Sequence, residues 1–226
     1  VLQLTLSGLV VGRGRRALTR PIGLTLRAGE ALLVTGPNGA GKSSFLRTLA
    51  GLLPPLAGTA AIEGARAADG EPARRPIEAG HYLGHRNALK PARPVGDELA
   101  FWAAFGRRAA LRPAAALAAV GLEGTEALAV GALSAGQQRR AAFARLLVDD
   151  RPLWLLDEPT TALDAASQAR IAELCRQRLA SGGIVVAATH QPLDVGAARE
   201  LALEPLARVQ PATATGDDDG GWDEIG

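Results

Sequence analysis

The stretch Gly36-Pro37-Asn38-Gly39-Ala40-Gly41-Lys42-Ser43 fits the pattern G-x-x-x-x-G-K-[ST], a loop that can wrap a chain of phosphates. The chemistry follows from the residue types. Glycines at 36, 39 and 41 allow backbone angles and close approach that side chains would block. The backbone N–H groups then form a concave cradle at a helix N-terminus, with the positive end of the helix dipole behind it. Lys42 can reach β- and γ-phosphates, and the Ser43 hydroxyl can ligate Mg²⁺. With glycine at about 7% of average usage, the four fixed positions match by chance in roughly 1% of chains of this length. Lys42 and Lys90 are the only lysines in the chain, which further weakens the reading of a stray lysine beside a glycine turn.

Further residues narrow the chemistry. Pro152-Leu-Trp-Leu-Leu-Asp157-Glu158 is an apolar run ending in two acids, as suits a buried parallel strand whose carboxyl end meets a ligand. Asp157 there can hold the Mg²⁺ shell, and Glu158 can polarise an attacking water. Upstream stands Leu133-Ser134-Ala135-Gly136-Gln137-Gln138-Arg139-Arg140, at the head of an apolar-periodic helix. Ser134 also suits a plain helix N-cap. Downstream come Ala162-Leu163-Asp164 and then Thr189-His190, which closes an apolar β-type run.

In this order the motifs GPNGAGKSS, LSAGQQRR, LWLLDEP, ALD and TH resemble the ATP-binding subunit of ABC transporters, over nearly the whole chain to about residue 204. The resemblance implies an α/β fold, a P-loop NTPase of the ABC ATPase type. Its parts would be a RecA-like core, an N-terminal antiparallel β subdomain and an inserted helical subdomain. The expected boundaries are 1–204 for the ATPase domain, with the helical insert at about 86–149, and an acidic tail over 205–226. Residue by residue, it implies that Gly36, Pro37, Asn38, Gly39, Ala40, Gly41, Lys42, Ser43 and Ser44 bind ATP, and that Ser43 and Asp157 hold Mg²⁺. Glu158 becomes the catalytic base and His190 the histidine that senses the γ-phosphate. Ser134 and Gly136 would touch ATP held by a second copy of the chain, and Asp164 would lie in the loop linking the two sites. Two chains would then close head to tail on ATP and part after hydrolysis.

Two departures from that family stand out. Where relatives place a glutamine that touches metal or water, this chain has Tyr82-Leu83-Gly84-His85-Arg86-Asn87, which puts His85, or with a one-residue slip Arg86, in that place. The N-terminal stretch where relatives stack adenine on an aromatic ring is Val10-Val-Gly-Arg-Gly-Arg-Arg16, without one. An arginine plane could stack on the base instead, with GTP able to compete.

The runs Tyr82 to Lys90, Glu98-Leu-Ala-Phe-Trp-Ala-Ala-Phe105 and Thr189-His-Gln-Pro-Leu193 are similar to the haem exporter ATPases of bacterial cytochrome c maturation. That similarity implies integral membrane partners that handle haem, no direct haem contact by this chain, and a place at the cytoplasmic face of the inner membrane. The alternative is an ATPase for another small transported substrate.

The elements that must position these residues can be read coarsely. Strands are expected over 2–11, 22–27, 31–35, 58–63, 79–84, 153–157 and 184–189. Helices are expected over 43–51, 95–105, 113–120, 136–148 and 165–179. Phe101, Trp102 and Phe105 share a helix face, either as core or as a socket for a membrane subunit. At 226 residues and 47% hydrophobic residues the chain can bury a substantial core. One cysteine, Cys175, precludes an internal disulfide and suits a reducing compartment. No apolar run reaches membrane-helix length and no signal peptide opens the chain, so membrane attachment is expected through partners. The arginines are scattered in runs no longer than two, which argues against nucleic acid as a partner, and sustained heptads are lacking. Five acids crowd the polar tail around Trp222, which reads as disordered.

Overall fold

A computed structural model describes residues 1–106 and 110–206. The expected acidic tail, with Trp222, therefore lies outside the described residues from 207 onward. The strands are β1 (Gln3–Val10), β2 (Gly12–Arg13), β3 (Arg16–Ala17), β4 (Ile22–Arg27), β5 (Ala31–Thr35), β6 (Ala57–Glu63), β7 (Gly80–Leu83), β8 (Leu153–Asp157), β9 (Ile184–Ala188) and β10 (Ala198–Ala202). The helices are α1 (Lys42–Leu49), α2 (Val95–Gly106), α3 (Pro113–Ala119), α4 (Ala135–Leu147) and α5 (Ala165–Ala180).

The core is a five-stranded sheet in the order β10-β5-β9-β8-β7, and every pairing in it is parallel. Parallel strands with both faces covered read as unbroken apolar runs. β8 (Leu-Trp-Leu-Leu-Asp) and β9 (Ile-Val-Val-Ala-Ala) are buried at every position. Side chains alternate between the two faces. Trp154, Leu156, Val185 and Ala187 join α3, α4 and α5 in one core cluster. Leu153, Leu155, Ile184 and Val186 join α1 and the antiparallel strands in the other. That second layer is the sheet β4-β1-β6, antiparallel throughout. The chain is thus α/β, with helices on one side of a parallel sheet and α1 plus a small antiparallel sheet on the other.

Between β7 and β8 the chain leaves the sheet to build α2, α3 and α4. α4 is opened by a capping box: the Ser134 hydroxyl accepts from Gln137 N–H at 3.2 Å, while Gln137 Oε1 accepts from Ser134 N–H at 2.8 Å. It then buries Arg139, Ala141, Ala142, Phe143, Ala144, Arg145 and Leu146, more than one face of the helix. A helix covered this widely lies at the centre of its layer, between the sheet and the other helices.

Three features differ from the sequence reading. β10 was not expected; it lies parallel to β5 at the sheet edge. A short hairpin, β2 with β3, interrupts the path from β1 to β4. The helix expected over 43–51 starts at Lys42 and stops at Leu49, because Gly51 takes φ +69°, a left-handed stop.

Candidate functional site

The carboxyl ends of β5, β8 and β9 are neighbours, and each leads directly into candidate residues. β5 runs into the glycine loop. Gly36 has φ +129°, and a Cβ there would stand 2.2 Å from the Leu203 carbonyl oxygen, so only glycine fits. Gly41, at φ +104°, caps α1, with Leu18 packed beside it. Pro37, Asn38 and Gly39 are exposed at the rim, while Ala40 and Ser44 are buried beneath them. Lys42 is buried, and its ammonium folds back over the loop, donating to the carbonyls of Gly36 at 2.7 Å and Pro37 at 3.3 Å. A cation held above a ring of backbone N–H groups at a helix start fits polyphosphate.

Ser43 and β8 meet across this loop. The Ser43 hydroxyl donates to Asp157 Oδ1 at 2.9 Å, and the Tyr82 hydroxyl donates to Asp157 Oδ2 at 3.4 Å. Asp157 is 1% exposed, so both oxygens rely on these partners. Arg47, one turn beyond Ser43 on α1, hydrogen-bonds the Tyr82 oxygen in turn. Burial raises the Tyr82 phenol above its ordinary value, the Arg47 hydrogen bond opposing, so the group stays a neutral donor to the carboxylate. Among the described residues no group of three or more His, Cys, Asp or Glu side chains could hold a metal. The donor set at Ser43 and Asp157 is instead all oxygen. That suits Mg²⁺, which keeps several waters and takes phosphate oxygens for the rest of its shell.

Glu158 follows in a conformation few residues adopt, φ +49°, which turns it out of the strand. Its amide still donates to Ala188 at the end of β9, at 2.8 Å. That bond places Glu158 against the segment after β9. His190 Nδ1 lies 2.7 Å from Glu158 Oε2, and the His190 amide donates to the same oxygen at 3.4 Å. Thr189 fixes the turn: its hydroxyl donates to the Gln191 carbonyl at 2.8 Å and accepts from the Gln191 amide at 3.0 Å. A carboxylate aimed by an imidazole, beside a phosphate cradle and an oxygen-only cation site, can hold and deprotonate water.

The remaining candidates lie elsewhere. Ser134 is exposed at the head of α4 and caps it. Gly136 packs on the loop before α5, where a Cβ would come 3.1 Å from the Ala162 carbonyl oxygen. Asp164 caps α5 by accepting from Ser167 N–H at 2.7 Å, and that bond holds its carboxyl below the usual range. Among the described residues no hydrogen bond joins these three to the phosphate loop. Ser134 and Asp164 are exposed, and Gly136 is half-buried against the loop before α5. His85 and Arg86 are both exposed just past β7. Two residues were not singled out from sequence. Tyr82 is the chain's one tyrosine, and Arg139 is a buried arginine within the LSAGQQRR run.

Fold and site together define a P-loop nucleoside triphosphatase. The family model described as ABC transporter matches residues 19–161. A "Cytochrome c biogenesis ATP-binding export protein" of Rhizobium johnstonii is 48% identical over 212 residues, covering 92% of this chain and 97% of that protein. Among solved structures, a putative ABC transporter ATP-binding protein of Pyrococcus furiosus superposes with a TM-score of 0.73 at 25% identity, covering 89% of this chain and 97% of that one. A dimeric ATP-binding cassette in a post-hydrolysis state, bound to ADP and Pi, shares the fold with a TM-score of 0.70 at 24% identity, covering 83% and 88%. The chain belongs to the ABC transporter ATP-binding family, in the branch of the cytochrome c biogenesis ATP-binding export proteins, and is an ATP-hydrolysing subunit. Among the described residues no helix is long and apolar enough to cross a membrane.

Proposed function

We propose that this chain powers haem export in bacterial cytochrome c maturation, as a head-to-tail pair of chains bound to integral membrane subunits at the cytoplasmic face of the inner membrane. The observation that carries the catalytic part is the linkage across three strand ends: Ser43 to Asp157 at 2.9 Å and Glu158 to His190 at 2.7 Å. Lys42 and the loop amides bind the β- and γ-phosphates of ATP. Ser43 and Asp157 hold Mg²⁺, which when bound offsets the negative charge of the phosphate oxygens. Glu158 takes the proton of the attacking water. His190 orients that carboxylate and lies where it can sense the γ-phosphate. His85, or Arg86 next to it, stands exposed on the segment after β7 and takes the place of the glutamine that touches metal or water in relatives.

Ser134 and Gly136 serve the ATP held by the second copy, with Asp164 between the two sites. The exposure of Ser134 and Asp164, and the lack of hydrogen bonds from all three to the phosphate loop of their own chain among the described residues, support this division. The solved relative described as a dimer with ADP and Pi supports pairing of two copies. The name of the Rhizobium relative, with the resemblance noted from sequence, supports the cytochrome c branch. Haem is handled by the membrane subunits and not by this chain, and nucleic acid is not a partner. A transporter ATPase for another small substrate is the competing assignment.

Glu158→Gln tests the chemistry, since the amide keeps the shape and cannot take a proton. ATP binding is expected to stay within about threefold while turnover is abolished. Normal turnover would remove Glu158 from the role of base. The same variant, tagged and recovered with gently solubilised membrane, tests the assignment. Haem-handling membrane proteins are expected to co-purify, with haem visible in the absorption spectrum. An unrelated permease would discard haem export and leave the ATPase standing.

A further inference from the structure

Arg139 sits on α4 at 4% exposure, with every donor of its guanidinium used. Nη2 donates to the carbonyls of Asp157 and Glu158, each at 2.8 Å. Nε donates to the Pro159 carbonyl at 3.2 Å. Nη1 donates to the Gly84 carbonyl at 2.8 Å and to Asn87 Oδ1 at 3.1 Å. Successive carbonyls of an extended strand point to opposite sides. Those of Asp157, Glu158 and Pro159 converge on one cation because the chain turns at Glu158, whose φ of +49° is a conformation that persists only when its surroundings impose it. Burial lowers the guanidinium to about 10, opposed by the charges of Asp157 and Glu158. It stays fully charged at neutral pH, a buried cation neutralised by two acids of the hydrolytic site.

We infer that Arg139 is a positioning residue for hydrolysis: it imposes the backbone turn from which the Glu158 carboxylate reaches His190, and it locks that turn to the segment carrying His85 and to the helix that Ser134 opens. The inference rests on the reading of Glu158 as the base. Three segments distant in sequence meet at this one side chain. A displacement of α4 when Ser134 engages a second chain's nucleotide is thereby passed to Glu158 of its own chain. Lysine cannot replace it, because a compact ammonium with three donors does not span five acceptors laid out for a planar fork.

The test measures kcat, KM and nucleotide affinity of the full chain for Arg139→Gln, Arg139→Lys, Glu158→Gln and the double variant Arg139→Gln with Glu158→Gln. Arg151→Gln serves as a stability control, because Arg151 makes a buried pair with Asp149 at 2.6 Å before β8, at the opposite end of that strand from Asp157 and Glu158. For Arg139→Gln, kcat is expected to fall about 100-fold, the cost of misplacing a catalytic group by an ångström, with nucleotide affinity within about threefold. Arg139→Lys, which keeps the charge and the stem and so guards against a failure to fold, is expected to lose about tenfold in kcat with KM unchanged. Arg151→Gln is expected to lower the melting temperature while keeping kcat. Residual single-turnover hydrolysis of the double variant is expected to equal that of Glu158→Gln alone, since Arg139 acts only through Glu158. The inference is overturned if both Arg139 variants keep kcat within about threefold of the parent while Glu158→Gln is inactive, or if the two losses multiply in the double variant. Normal turnover in Glu158→Gln would overturn it differently, by removing the base on which it depends.

Discussion

Acid should weaken this protein through His81, a residue with no part in hydrolysis. His81 lies on β7 with its side chain 11% exposed, and its Nε2–H donates to the Asp149 carbonyl at 2.6 Å. The Asp149 carboxylate is already engaged by Arg151 at 2.6 Å. Burial lowers the imidazole to about 3; the bond to Asp149 opposes this, and repulsion from Arg151, Arg145 and Arg178 adds to it. In an unfolded chain the same group titrates near 6.5. The unfolded state therefore binds the proton first as pH falls. Stability from this residue is full above about pH 6.5 and drains steadily down towards about pH 3. At about pH 5.5 the unfolded group is one unit below its own value, which costs the native state about 1.4 kcal/mol relative to about pH 7.5. His81→Gln keeps a donor for the Asp149 carbonyl and cannot titrate. Urea melts of both proteins at the two pH values should show that the parent loses about 1.4 kcal/mol more than the variant on acidification. If the variant tracks the parent to within about 0.3 kcal/mol, His81 is not held neutral by its burial and the account of this cluster is wrong.

Two further substitutions separate stability from function. Ser134→Gly should cost only a few tenths of a kcal/mol by urea melt, because glycine is tolerated as an N-cap, yet should abolish ATP turnover; unimpaired turnover would leave Ser134 a cap alone. Trp102 donates from Nε1 to the buried Glu98 at 3.2 Å and lies under the Arg145 guanidinium at 4.8 Å. Trp102→Ala should therefore lose about 2 kcal/mol of stability, and Phe105→Ala, at a ring left 64% exposed, less than about 0.5 kcal/mol. Equal losses in the two melts would contradict that difference in packing.

The parallel sheet was legible because its strands are short apolar runs ending in punctuation: Thr35 before the glycines, Asp157 before Glu158, Ala188 before Thr189. The helices came from apolar spacing with Ser134 and Asp164 at their starts. β10 was not legible. Its sequence, Ala-Arg-Glu-Leu-Ala, carries no β-branched residue and reads more readily as helix. It becomes a strand by pairing with β5, a tertiary effect that no window of sequence contains. In the site, Lys42, Ser43, Asp157, Glu158 and His190 could be singled out by type and spacing. Tyr82 and Arg139 could not. The first acts through one carboxylate oxygen 75 residues away in sequence, and the second through backbone carbonyls, which have no sequence signature at all. An arginine in a helix reads as surface charge until the acceptors around it are known.

The place of β5 in the sheet bears on how the protein is made. Both neighbours of the strand that feeds the phosphate loop, β9 and β10, come near the far end of the chain. The Gly36 turn, moreover, closes against Leu203. A growing polypeptide emerging from the ribosome thus carries its nucleotide-binding loop for most of its synthesis without the strands that hold it in shape. Such non-local pairing is slow and leaves unpaired edges exposed. Assembly of the loop waits for nearly the last residue of the sheet. A half-made chain consequently has no formed cradle with which to capture ATP or pair with a finished copy.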